Sequence, residues 1–240
     1  MKKIKYIIKT LLMFSVLSVL FAQNETPPIG SEPKNFNLPP SQTFNLDNGL
    51  SVTTVQFGNI PKVTIQIKIR VGNLNEGENE IWLADLTGDL LTEGTEKYSA
   101  EQIAEKAAEM GGEVNVSTGL DQTTITGSVL SEFVPDLISL LAEITQRPTF
   151  NEKSIDRIKK DLLRSLSIQK SQPQNIANES FSKSIYGDHP YGRMYPTEEM
   201  INGFDRSKVV DFYTNNFGEK RTHIFVSGVF NEDKVNNSIK

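Results

Sequence analysis

Between residues 43 and 71 apolar and polar positions alternate with a period of two. Thr43-Phe44-Asn45-Leu46 and Leu50-Ser51-Val52-Thr53-Thr54-Val55 flank Asn48-Gly49, the strongest short hairpin signal, so a strand, turn, strand unit is expected there. Val63 to Val71 alternates as well, which puts one face of a third strand on a core and the other in water. The period then changes to that of a helix. Ile81, Leu83, Ala84, Leu86, Leu90 and Leu91 predict a helix from about Asn79 to Thr92, stopped at Gly94. A second helix is expected over Ala100 to Met110, with Ser99 and Gln102 at its start and Gly111-Gly112 at its end.

Glu113 to Thr118 and Thr123 to Leu130 read as a second hairpin around Gly119-Leu120-Asp121, with Val114, Val116, Ile125 and Val129 as core positions. The run Thr123, Thr124, Thr126 and Ser128 is expected on a solvated face, chosen for β propensity. Helices follow over Glu132 to Thr145 with Pro135 in the first turn, Asn151 to Lys170, Gln174 to Ile185 and Arg206 to Asn216. Arg221 to Gly228 closes the pattern as a strand. The order β-β-β-α-α-β-β-α-α-α-α-β predicts an α+β fold, an antiparallel-rich sheet packed against helices, rather than a doubly wound parallel sheet.

Composition adds compartment and domain count. Lys2, Lys3, Lys5 and Lys9 precede the apolar run Leu11 to Ala22, about a dozen residues, which reads as a signal peptide over 1–22 and is too short to span a bilayer. Periplasmic or secreted localisation is the expectation. Removing that segment takes away four lysines and no acid, moving the formal charge from −5 to −9, which argues against nucleic acid as a partner. Pro27, Pro28, Pro33, Pro39 and Pro40 make 23–42 an extended linker. There is no cysteine, so thiol nucleophiles, disulfides and thiolate metal sites are excluded. Residues 43–240 are enough for one domain of good size.

Four pieces in order carry a resemblance. They are Leu46-Asp47-Asn48-Gly49-Leu50-Ser51-Val52 with the later Val71-Gly72, then Glu93-Gly94-Thr95, then Met110-Gly111-Gly112-Glu113-Val114-Asn115-Val116-Ser117-Thr118, and Tyr186-Gly187-Asp188-His189-Pro190-Tyr191-Gly192. Together they resemble the N-terminal half-domain of the M16 peptidases, which include insulinases and mitochondrial processing peptidases. A family subunit normally contains two such halves. The family's zinc motif is His-x-x-Glu-His, followed after its last histidine by the Gly-Thr pair. Counting back from Gly94-Thr95 places it on Asp85-Leu86-Thr87-Gly88-Asp89.

Both imidazole ligands are thus aspartates, Asp85 and Asp89, and the general base is Gly88. The distal glutamate ligand falls on Arg164 or Ser165, and the two histidines, His189 and His223, lie far away. A zinc peptidase needs two imidazoles one turn apart, a third ligand and a carboxylate base. The resemblance therefore implies no catalytic residue, no metal and no cofactor in this chain, with zinc only in a partner. Asp85 and Asp89 are expected to line a polar cleft or a solvated face, with a hard-cation site as the sharper alternative. His189 is expected to be a loop histidine rather than half of an acid–base pair with Asp188.

The resemblance further implies a non-catalytic subunit that supports peptide binding and degradation by a zinc-bearing M16 partner in the periplasm. Extended peptide would pair with Asn115, Val116, Ser117 and Thr118 through backbone hydrogen bonds. Two other readings stand beside it. One is a stand-alone envelope domain that binds peptide or acts as a scaffold, and the other is a zinc metalloendopeptidase with an unrecognised site.

Overall fold

The computed structural model describes residues 30, 31 and 37–240, so the expected signal peptide and most of the proline-rich segment lie outside the described residues. Ser41–Asn45 (β1) and Ser51–Gln56 (β2) form the expected hairpin, with Phe44 opposite Val52. Gly49 in the turn has φ 90°, which favours a residue without a Cβ. β1 begins two residues inside the stretch read as linker, because Ser41 and Gln42 already pair with Val55 and Thr54.

Lys62–Ile69 (β3), Glu113–Thr118 (β4), Thr123–Leu130 (β5) and Thr222–Gly228 (β6) complete one six-stranded sheet in the order β1-β2-β6-β3-β5-β4. Every neighbouring pair is antiparallel except β2 with β6. Val63, Ile65, Ile67 and Ile69 of β3 are buried on one face, while Thr64, Gln66 and Lys68 are only partly covered on the other. Each fully buried aliphatic of this kind stabilises the fold by roughly 1.5–3 kcal/mol.

The helices are Leu83–Leu90 (α1), Ala100–Glu109 (α2), Val134–Gln146 (α3), Glu152–Ser171 (α4), Pro173–Tyr186 (α5), Glu198–Asn202 (α6), Arg206–Asn216 (α7) and Glu232–Ile239 (α8). α3 buries Val134, Leu137, Ile138, Leu140, Leu141 and Ile144. It comes so close to β5 that a Cβ on Gly127 would stand 2.6 Å from Leu137 Cδ1, which explains a glycine inside a strand. Ser99 and Gln102 form the expected capping box at the start of α2. Among the described residues no helix is long and apolar enough to cross a membrane.

Three expectations are corrected. α1 starts at Leu83 rather than Asn79, because Trp82 is left-handed at φ 71°, ψ 13°, and an α-helix of L-residues does not run through that region. Holding a non-glycine residue there costs on the order of 1–3 kcal/mol. Thr123 is fully buried, not solvated, and its hydroxyl donates to the Val71 carbonyl at 2.8 Å. Helices α6 and α8 had no apolar period to announce them. α8 buries only Val235 and is started by Asn231, whose side chain accepts from Lys234 N–H.

Candidate functional site

The site is built where α1 crosses the end of β4. No side chain of its N-cap residue, Trp82, caps α1. The cap comes from upstream: Glu76 Oε1 accepts from the Ala84 N–H at 2.8 Å, which places a carboxylate at the positive end of the helix. Asn73 Nδ2 donates to that same Glu76 oxygen at 3.0 Å and to Asp85 Oδ2 at 2.6 Å, so one amide bridges two acids. Burial pushes Glu76 up to about 7; hydrogen bonds from Ala84 and Asn73 oppose the rise and the Asp85 charge adds to it. Asp85 is likewise raised, chiefly by burial.

One turn on, Asp89 keeps part of its surface in water, yet it is pushed up to about 6. Burial of the carboxyl is the main cause, followed by repulsion from Asp85 and Glu93 and relieved by Arg157. Arg157 of α4 is paired with Glu93 and lies 3.5 Å from Asp161. Asp85 is thus half-buried and Asp89 exposed on one face of α1. Arg164, one of the two candidates for the distal ligand position, sits on the exposed side of α4 and pairs with Asp161 at 3.2 Å. Ser165 is exposed. The α4 charges that act on Asp89 are Arg157 and Asp161.

Gly88 is fully enclosed. A Cβ there would stand 2.2 Å from Thr118 Oγ1 and 3.7 Å from Val116 Cγ1, so side chains of β4 occupy the space a larger residue would need. The donor set does not fit zinc. Asp85 is engaged by Asn73, Asp89 faces a guanidinium, and the position between them has no side chain to take a proton from water. Among the described residues no group of three histidine, cysteine or acidic side chains is arranged to hold a metal.

β4 is one edge of the sheet and β1 the other. The tip bond from Gly119 N–H to the Gln122 carbonyl, 2.9 Å, sets the phase of the β4–β5 ladder. Hydrogen-bonded pairs alternate in an antiparallel ladder, so Ser117, Asn115 and Glu113 bond to β5. Thr118, Val116 and Val114 then point their N–H and C=O groups away from the sheet, and no backbone bond from another element reaches them among the described residues. The edge thus presents an open ladder beside the acidic face of α1, which packs on β4 through Gly88 and Thr118. Of the four residues singled out in sequence, Val116 and Thr118 own the free backbone groups, while Asn115 and Ser117 contribute exposed side chains.

A family model for the insulinase family, peptidase family M16, matches residues 52–197. This chain belongs to that family. It is 27% identical to an uncharacterized zinc protease of Rickettsia felis over 84% of this chain and 48% of the relative. It is also 27% identical to the mitochondrial-processing peptidase subunit beta of Rattus norvegicus, over 80% of this chain and 39% of that one. A solved M16 peptidase inactive domain from Pseudomonas fluorescens superposes with a TM-score of 0.77 at 22% identity, over 83% of this chain and 49% of that one. The chain spans between 39% and 49% of the length of these relatives. The M16 half-domain fold expected from the resemblance is the fold observed.

Within this M16 domain, reading the sequence missed Glu76, Asn73 and Trp82. Glu76 and Asn73 sit in a turn-rich loop with no period, and only the folded path brings them under α1. A tryptophan in a left-handed conformation has no sequence signal. His189 is a loop residue as expected; its Nδ1 accepts from the Tyr191 N–H at 3.2 Å.

Proposed function

We propose that this chain is a non-catalytic M16 unit which supplies a wall and a peptide-pairing edge to a zinc-bearing M16 partner in the periplasm. The observation that carries the reading is Gly88, whose missing side-chain space is filled by Thr118 while the flanking aspartates are held by Asn73 and faced by Arg157. A hydrolytic centre is replaced by a packed one, yet the β4 edge beside it keeps an open ladder. Adding a peptide strand to such an edge needs no metal. The names of the relatives support the division of labour: one is called a zinc protease, one a subunit and one an inactive domain.

The test is peptidase activity together with metal analysis on the full chain, alone and mixed with a zinc-bearing M16 protein of the same genome. Inactivity alone with activity on mixing is the expected result. One zinc per chain with activity alone overturns it. Peptide binding alone, with no effect on any M16 peptidase, replaces it with a stand-alone binding domain.

A further inference from the structure

The strained Trp82 is the wall of a cavity. A space of about 490 Å³ opens where the β4–β5 hairpin tip meets α1 and the end of α5, lined on its apolar side by Trp82, Leu120, Tyr186, Tyr191 and Met194. Trp82 is held there by its indole N–H, which donates to the Met194 carbonyl at 3.1 Å, and by edge-on contact with Tyr195. Tyr191 is tied to the hairpin tip through its hydroxyl bond to Asp121 and packs edge-on against Tyr186. The hairpin tip is itself anchored, since Asn73 and Leu74 N–H groups donate to the Gly119 and Leu120 carbonyls at 3.1 and 2.9 Å. Leu120 nevertheless remains about half exposed at the mouth.

The geometry points to a side-chain pocket at the end of the β4 edge, taking a neutral aromatic or large aliphatic residue of a bound extended peptide. This rests on the edge-pairing reading above and names what that edge selects. A strand advances roughly 3.3 Å per residue, so a peptide paired with Thr118 comes level with Leu120 two residues further on. The occupant is neutral because both charged groups at the rim are already engaged. Asp121 accepts from Tyr191, and Arg193 donates to the Asp188 carbonyl at 3.1 Å and to Glu78 at 3.4 Å. An ionised side chain entering there loses water without gaining a free counter-charge. An apolar one gains aromatic surface on several sides.

Trp82 is the only tryptophan in the chain, so its fluorescence reports on the pocket directly. The probes are blocked, uncharged, extended heptapeptides that carry one variable residue, Phe, Ser or Glu, scanned along the peptide. Binding is followed by Trp82 emission and by calorimetry on the full chain. At one position the Phe peptide is expected to bind about tenfold more tightly than the Ser peptide, with the Glu peptide weakest. Leu120→Ser and Tyr191→Ala are expected to erase that preference, bringing the Phe peptide to the affinity of the Ser peptide. If Tyr191→Ala does not fold, Leu120→Ser decides, because its side chain is exposed. Equal binding of all three peptides, with binding still abolished by N-methylating alternate peptide amides, overturns the pocket and leaves the edge reading standing. Tightest binding of the Glu peptide overturns the neutral preference, and no binding of any peptide removes both.

Discussion

Gly88 and Thr118 compete for one space from two elements, and that competition is measurable. Gly88→Ala drives a methyl group against Thr118 Oγ1 and is expected to destabilise the chain by about 1–3 kcal/mol in urea unfolding. Thr118→Ala in the same chain should recover most of that loss, giving a coupling energy that two independent sites would not show. Glu76 supplies a second residue-level test. Its folded-state value, about 7, lies above the ordinary 4.5, so the folded protein holds a proton that the unfolded chain releases between those values. Its contribution to stability is therefore full below about pH 4.5 and lost as pH rises through 7, amounting to about 3 kcal/mol. Glu76→Gln should flatten that part of the pH profile, so that melting temperature falls less between pH 5 and pH 8 than in the parent. That Asp85, Gly88 and Asp89 share one helix face was legible from the apolar period around them, because a helix converts spacing directly into a shared face; their reading as a degenerate motif came from the family resemblance. Glu76 was not legible, since a loop carries no such period.

Elements with many apolar neighbours announced themselves, and those with few did not. β4 and β5 were read to their end residues and α7 to both ends, because alternation, turn and cap signals agree there. α8 keeps its place with one fully buried side chain and a polar cap, too little to leave a period. The sheet edge itself was invisible in sequence, as strand order depends on contacts between distant segments. Its consequence is specific: along β4 it is Thr118, Val116 and Val114 whose backbone groups are free for another strand. A peptide that adds to β4 must donate and accept at every second residue. N-methylating the amides that face β4 is expected to abolish binding, whereas methylating the intervening amides should leave it intact, read by calorimetry on matched peptides. Loss of binding with both sets argues against strand addition.

At the scale of the molecule, α5 buries none of its side chains, and Phe181 and Ile185, one turn apart, are 65% and 57% exposed. Replacing both by serine should change unfolding free energy by no more than about 0.5 kcal/mol and reduce concentration-dependent association in sedimentation velocity. The strand order has an effect of another kind, in time rather than in energy. β6 lies between β2 and β3, so Val52 meets Ile224 and Ile67 meets the same Ile224 from the other side. The N-terminal hairpin has no other partner in the sheet. Until the chain has been made through Gly228, both the β2 edge and the apolar β3 edge stay unpaired. Closing contacts so distant in sequence is slow. A nascent chain therefore passes through a stage with two sticky edges open at once, and holding those edges apart from other chains is what any chaperone of this protein would have to do.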